Sequence, residues 1–383
     1  MSENRGNWPK MRILALPLYP GEFSSRIRVD FFVEPLQERG IEVDVVPPLS
    51  RKVFENCYQG KRIERFRYHG AELVGRMLSL LDAGKYDLLW VQKGYSLFPW
   101  RGFESLRRMV AGRVVYDLDD DIFQSAPIEI PGWAKPLADL KQRTKILKRA
   151  DLVLCGNEDL RAEAIRHGAR AEFLPSTIPL DHYPKRTDPV DSPPTIVWLG
   201  TSSNLKYLSE IAPVFARLSE KAPDLVLLLL TDNIDEIRGA DLGRCRLVYE
   251  RWSPKREAEL LSRGWVGIMP LPDSPETRRK SGYKILQYMA SGLPVVASPV
   301  GINKELVSDS VNGFLASTHS EWGEALARLL QDEVLRRKMG EVGRRAVETN
   351  FSTEVWAGQL AGWFKELGPR KRPGQASEKS GVR

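Results

Sequence analysis

Residues 281–307 read SGYKILQYMASGLPVVASPVGINKELV, and that order of residue types leaves few folds open. Gly282 supplies a turn; Ile285, Leu286, Met289 and Ala290 follow at helical spacing; Gly292 stops the helix, and Pro294-Val-Val-Ala begins a buried strand. A helix followed at once by an apolar strand is one αβ step of a parallel sheet. The turn is also a ligand geometry. A glycine turn feeding a helix leaves backbone N–H groups pointing outward, the helix dipole makes that end attractive to phosphate, and Lys284 adds a mobile positive charge. An ordinary step of a Rossmann-like layer with no ligand accounts for the same pattern.

The alternation runs through the chain. Arg12-Ile-Leu-Ala-Leu-Pro-Leu reads as a strand, a helix follows through Phe31, Phe32 and Leu36, Gly40 ends it, and Ile41-Glu-Val-Asp-Val-Val starts the next strand. Further strands are expected at Asp87-Leu-Leu-Trp-Val, Val114-Val-Tyr, Leu152-Val-Leu-Cys and Ala171-Glu-Phe. The Pro- and Asp-rich piece KRTDPVDSPP breaks the pattern, and it restarts at Thr195-Ile-Val-Trp-Leu-Gly, with strands at 225–230, Arg246-Leu-Val-Tyr and Val266-Gly-Ile-Met. At 383 residues the chain is too long for one core of ordinary size. We therefore expect a first α/β domain over 1–185, a linker over 186–194, a second α/β domain over 195–352, an amphipathic helix over 353–367 and a disordered basic tail over 368–383.

Composition narrows the function classes. The apolar fraction of 42% is that of a globular protein, and no stretch reaches the roughly 18 to 20 apolar residues that span a bilayer. MSENRGNWPKMR lacks the apolar core of a secretion signal, and Cys57, Cys155 and Cys245 stand far apart without metal-ligand spacing; both point to the cytoplasm. Net charge is +7, and residues 51–67 hold six basic side chains against two acidic ones, interleaved with Val53, Phe54, Tyr58, Ile63 and Phe66. Such a segment can lie on an anionic membrane surface; a solvated helix with its apolar side on its own domain is the plainer reading. No zinc-finger spacing, helix-turn-helix pattern or ribonucleoprotein motif accompanies the charge, so nucleic acid is not an expected partner.

The 281–307 run resembles the nucleotide-sugar site of family-4 glycosyltransferases, retaining enzymes built from two Rossmann-like domains, the GT-B fold. Many of these read E-x-F-G-x-x-x-x-E-A-M-A-x-G-x-P-V. Here Met289-Ala-Ser-Gly-Leu-Pro-Val matches and Gly282 and Tyr283 align with the glycine turn, while Arg279 and Gln287 replace the two acidic residues. Lys280, Lys284 and Gln287 fit a branch that reads K-x-G-Y-K-x-L-Q-Y-M-A. The resemblance implies two doubly wound domains facing a central cleft, with the 353–367 helix crossing back to the first. It further implies a nucleotide-sugar donor, an acceptor hydroxyl, no cofactor and no obligatory metal, and the basic, aromatic-bearing run of the first domain makes a cell-envelope glycan or lipid-linked molecule the expected acceptor. Nucleotide-sugar contacts are expected at Gly21, Gly200, Thr201, Lys206, Lys280, Ser281, Gly282, Tyr283, Lys284 and Gln287, with Thr201 where the family has an arginine and Gln287 where a glutamate grips the ribose. For any one lysine alone, a solvated surface position is the simpler reading.

Asp117-Leu-Asp-Asp-Asp121 invites a metal reading, since paired carboxylates hold a divalent ion against a diphosphate. Its place after the strand Arg113-Val-Val-Tyr instead matches the family's His-Asp pair, which makes Asp119 and Asp120 the expected catalytic residues, orienting the reacting sugar or stabilising its oxocarbenium-like transition state. An acidic helix cap is the alternative. Arg26 or Arg28 could reach an anionic acceptor, Asn157 stands at another strand end, and Trp252 could border the nucleotide base; surface, turn and core roles compete with each. None of the four histidines has a nucleophile or metal-ligand arrangement. The reading is a retaining, metal-independent glycosyltransferase, cytoplasmic or peripheral on the inner membrane face. A GT-B epimerase or phosphorylase-like enzyme and a degenerate nucleotide-binding or scaffold protein are the rivals.

Overall fold

The apolar runs form two six-stranded parallel sheets in a computed structural model that describes residues 11–19, 23–47, 49, 53, 62–96, 98–110, 112–119, 132–139, 141–185 and 192–368. One sheet has the order β2-β1-β3-β4-β5-β6, from Ile41–Val45, Met11–Leu16, Leu88–Gln92, Arg113–Leu118, Leu152–Cys155 and Ala171–Phe173. The other has the order β12-β11-β10-β7-β8-β9, from Gly313–Leu315, Val295–Ala297, Val266–Met269, Thr195–Leu199, Val226–Thr231 and Arg246–Arg251. Both are Rossmann-like α/β arrangements, as the alternation led us to expect, and two of them are what the resemblance to the GT-B fold implied.

The inner strands are apolar throughout because helices cover both faces of each sheet. In the first unit Leu14, Leu16, Leu89 and Val91 pack on one face with Tyr95, Phe103 and Leu147. Their strand neighbours Ile13, Ala15, Leu88 and Trp90 point to the other face, toward Phe32 and Leu36. The Thr353–Leu367 helix completes that second face with Ala357, Leu360, Ala361 and Phe364, and the Phe364 ring meets Trp90 edge-on at 5.4 Å. In the second unit Ile196, Trp198, Leu227, Leu229, Val266 and Ile268 pack with Val214, Phe215, Trp322 and Leu326.

The compact units are Met1–Leu174 with Trp356–Arg383, and Pro175–Val355. Their division falls before residue 185, our expected boundary, because the intervening residues already bond within the second unit. Ile178 N donates to Phe351 O at 2.9 Å, Thr353 N to Ile178 O at 3.0 Å, and the Tyr183 hydroxyl to Glu257. Residues 186–191 and 369–383 lie outside the described residues, as does nearly all of the basic run before Arg62. Among the described residues no helix is long and apolar enough to cross a membrane.

One polar pair sits in the first core. Arg28 and Asp117 are both fully buried; Arg28 Nε and Nη2 donate to Asp117 at 2.8 and 3.1 Å, and Nη1 donates to Leu174 O at 2.6 Å. This corrects two readings: Arg28 does not reach an acceptor, and the Asp117 carboxylate is engaged by Arg28. Burial raises the Asp117 carboxyl to about 6, against the lowering pull of the guanidinium. Removing one partner strands a buried charge, so Arg28→Met should lower the first unit's stability by about 3–5 kcal/mol. In chemical denaturation the double variant Arg28→Met/Asp117→Leu should regain most of that loss; a single variant within 1 kcal/mol of wild type would contradict this account.

Candidate active site

In the second sheet the chain steps outward from β7 through β8 to β9, then returns to place β10 on the opposite side of β7. Ligand crevices of open α/β sheets form at the carboxyl ends of two such strands. β7 and β10 pair only at Ile196↔Val266 and Val197↔Gly267, while β7 and β8 stay paired through Leu199↔Leu230. Where β10 departs, the Tyr288 hydroxyl takes over: it accepts from Leu199 N at 2.9 Å and donates to Ile268 O at 3.2 Å. Gly267 makes room, since a Cβ there would lie 2.3 Å from the Tyr288 ring. Tyr288 belongs to the Tyr283–Ala290 helix, so this bridge fixes the helix against the strand ends.

That helix begins at Gly282, whose φ of 66° favours glycine and whose Cβ would collide with Leu306 and Ile302. No side chain caps the helix start. One residue in, Lys284 extends to the end of β7: its Nζ lies 4.8 Å from the Trp198 ring and at the position a side chain on Gly200 would occupy, 2.6 Å from that missing Cβ. Among the described residues nothing gives the Lys284 ammonium a hydrogen bond or carboxylate. Burial, with Lys280 adding repulsion, lowers its pKa to about 7.

The other expected donor contacts gather beside it. Lys280 Nζ donates to Asn204 Oδ1 at 3.2 Å and lies 5.8 Å from the Tyr207 ring, over which exposed Lys206 sits at 5.0 Å. The loop after Gly200 is pinned by Asp232 at the end of β8, which accepts from Ser202 N at 2.7 Å and from its hydroxyl at 3.0 Å. Thr201 accepts from Asn204 Nδ2 at 2.8 Å, and Ser281 lies half-buried before the Gly282 turn. Gln287 is elsewhere. It is 2% exposed, and its Nε2 donates to the Tyr183 hydroxyl at 3.2 Å. Tyr183 donates to buried Glu257, which also accepts from Trp252 Nε1 at 2.6 Å. Both Gln287 and Trp252 are thus tied into a polar network inside the unit.

In the first unit the carboxyl ends of β3, β4 and β5 carry Lys93, Asp119 and Asn157. Asp119 Oδ1 lies 3.2 Å from Lys93 Nζ. Asn157 is a helix N-cap, accepting from Leu160 N at 2.8 Å, which favours its plain turn reading. Gly21, Asp120 and Asp121 lie outside the described residues. Sequence reading passed over Lys93, Tyr288, Asp232 and Glu257; for Lys93 a signal existed, a lysine and glycine directly after an apolar strand.

Residues 193–332 match the family model described as glycosyl transferases group 1. An alpha-D-kanosaminyltransferase of Streptomyces kanamyceticus is 25% identical over 188 residues, 47% of this chain and 47% of that protein. A D-inositol 3-phosphate glycosyltransferase of Corynebacterium glutamicum is 34% identical over 94 residues, 24% of this chain and 22% of its own. The chain spans about half the length of the first relative and less of the second. In fold it is similar to the sucrose-phosphate synthase of Thermosynechococcus elongatus, with a TM-score of 0.70 at 17% identity over 93% of this chain and 99% of that one. Anabaena HepE in complex with UDP-glucose gives 0.64 at 17% identity over 93% and 99%.

The Lys284 shift has a sign that can be tested. Between pH 7 and 10.5 the unfolded chain keeps a proton on Lys284 that the folded chain releases, so this group's contribution rises with pH, and its penalty is fully present below pH 7. Lys284→Met should therefore stabilise the second unit at pH 6 by about 1 kcal/mol. Denaturation midpoints at pH 6 and pH 9.5 should show that gain shrinking as pH rises; an equal gain at both would contradict the lowered pKa.

Proposed function

We propose that the protein is a glycosyltransferase that moves a sugar from a nucleotide-sugar donor to an acceptor hydroxyl, with retention at the anomeric carbon and without an obligatory metal. The observation that carries this reading is the uncompensated Lys284 ammonium at Gly200, beside an uncapped helix start at the β7–β10 parting. When the bond between sugar and diphosphate breaks, negative charge grows on the leaving oxygens. A fixed ammonium and aligned N–H groups meet it without rearrangement. Gly200, Thr201, Ser281, Gly282 and Tyr283 shape the diphosphate seat, and Lys206 and Lys280 add a second tier of positive charge. Asp119 and Asp120 act on the reacting sugar. Gln287, buried against Tyr183, shapes the seat through the helix that carries it. The relative solved with UDP-glucose supports a nucleotide-sugar donor of this kind.

A second reading has its own observation. Neither position of the family's acidic pair carries a carboxylate, and Gln287 is engaged inside the unit, which suits a nucleotide-binding scaffold without turnover. A thermal-shift panel of UDP, GDP, ADP, CMP and dTDP with and without EDTA separates the cases. One diphosphate at 100 times its dissociation constant should stabilise by about 2.7 kcal/mol, unaffected by EDTA and lost in Lys284→Ala. Because an anion raises the Lys284 pKa, binding at pH 8 should take up a proton, seen by calorimetry in two buffers of different ionisation enthalpy. Binding with no donor hydrolysis and no transfer would favour the scaffold; a response that requires metal would remove the metal-free mechanism.

The acceptor is proposed to be a cell-envelope glycan or a lipid-linked molecule at the inner face of the cytoplasmic membrane. Supporting this, the basic run of residues 51–67 leads into the Arg62–Asp82 helix, which exposes Val74, Leu78 and Leu81 on one side. The protein should co-sediment with vesicles containing phosphatidylglycerol and stay in solution with phosphatidylcholine alone. Equal partitioning would leave the membrane without support.

A further inference from the structure

β3 ends at Gln92, and the next residue, Lys93, has a φ of 61°, a left-handed backbone that costs any residue with a Cβ. Three hydrogen bonds hold this turn. Lys93 N donates to Asp117 O at 2.9 Å, the Tyr116 hydroxyl donates to Lys93 O at 3.1 Å, and Gly94 N donates to Gln92 O at 2.8 Å. The side chain is thereby sent across to the end of β4, where its Nζ lies 3.2 Å from Asp119 Oδ1, with only 12% and 10% of the two side chains exposed. From the opposite side, Gly156 backs Asp119 so closely that a Cβ would come 3.0 Å from the Asp119 Cα. Among the described residues, Asp117 on the same strand and its partner Arg28 also interact electrostatically with Asp119.

We propose that Lys93 is a positioning residue for Asp119, holding its carboxylate aimed for sugar transfer. The proposal rests on the catalytic reading of Asp119 given above. An ion pair serving stability alone would need no strained backbone to bring the lysine across. It would also leave turnover unchanged once the lysine is removed.

The test uses full-length protein with UDP-glucose as the donor probe. Lys93→Met should lower kcat for UDP-glucose hydrolysis about tenfold with KM unchanged, and Lys93→Arg, which keeps the charge, should restore most of it. A wild-type near-UV circular dichroism spectrum, to which Trp90 in the first core contributes, shows that the first unit of Lys93→Met is folded. An unmoved kcat in Lys93→Met overturns the proposal, as does a Lys93→Arg variant as slow as Lys93→Met. Absence of turnover in the wild type would overturn the transfer reading itself, and the positioning role with it.

Discussion

The second unit depends on how β7 and β10 part. Parallel strands that separate leave an N–H on one and a carbonyl on the other without ladder partners, a serious cost in a dry core. The Tyr288 hydroxyl meets both at once, accepting from Leu199 and donating to Ile268. A single phenol therefore performs two tasks. It closes the gap in the sheet, and it sets the height and rotation of the helix that carries Lys284. The parting of the two strands is thus bridged by a side chain anchored in the core.

Charge is handled in opposite ways in the two units. In the first, Arg28 and Asp117 neutralise each other in a fully buried pair, and Lys93 and Asp119 do so near the strand ends. In the second, Lys284 is left facing an aromatic ring and a glycine, with another lysine close enough to oppose its protonation. A folded protein does not keep such an arrangement for stability. An uncompensated cation beside an uncapped helix start is a site whose missing charge is expected to come from a ligand.

Much of this was legible in the sequence, because strands covered on both faces read as unbroken apolar runs and the glycines at 200, 282 and 292 mark the turns between layers. The place of Lys284 was legible for the same local reason: it stands two residues after the glycine of a turn. What could not be read depends on partners far along the chain. Gln287 meets Tyr183 from 104 residues away, and Arg28 meets Asp117 from 89. No spacing rule links such pairs, so a glutamine in a motif position and an arginine in a loop looked like ligand contacts when they are core groups. For Lys93 the sequence marks only a lysine and glycine after an apolar strand; the positive φ that sends its side chain toward Asp119 is one that a lysine seldom adopts and sequence patterns do not register.

The return of the Thr353–Leu367 helix gives the molecule a history as well as a shape. The first unit's core lacks Leu360, Ala361 and Phe364 until the whole second unit has been made, since those residues come after it in the chain. During synthesis the face around Trp90 and Phe32 must wait for its cover, while the second unit, built from continuous sequence, can fold as soon as it emerges. The first half to leave the ribosome is therefore the last to be finished, and its exposed apolar face is open to aggregation or chaperone capture for that whole interval.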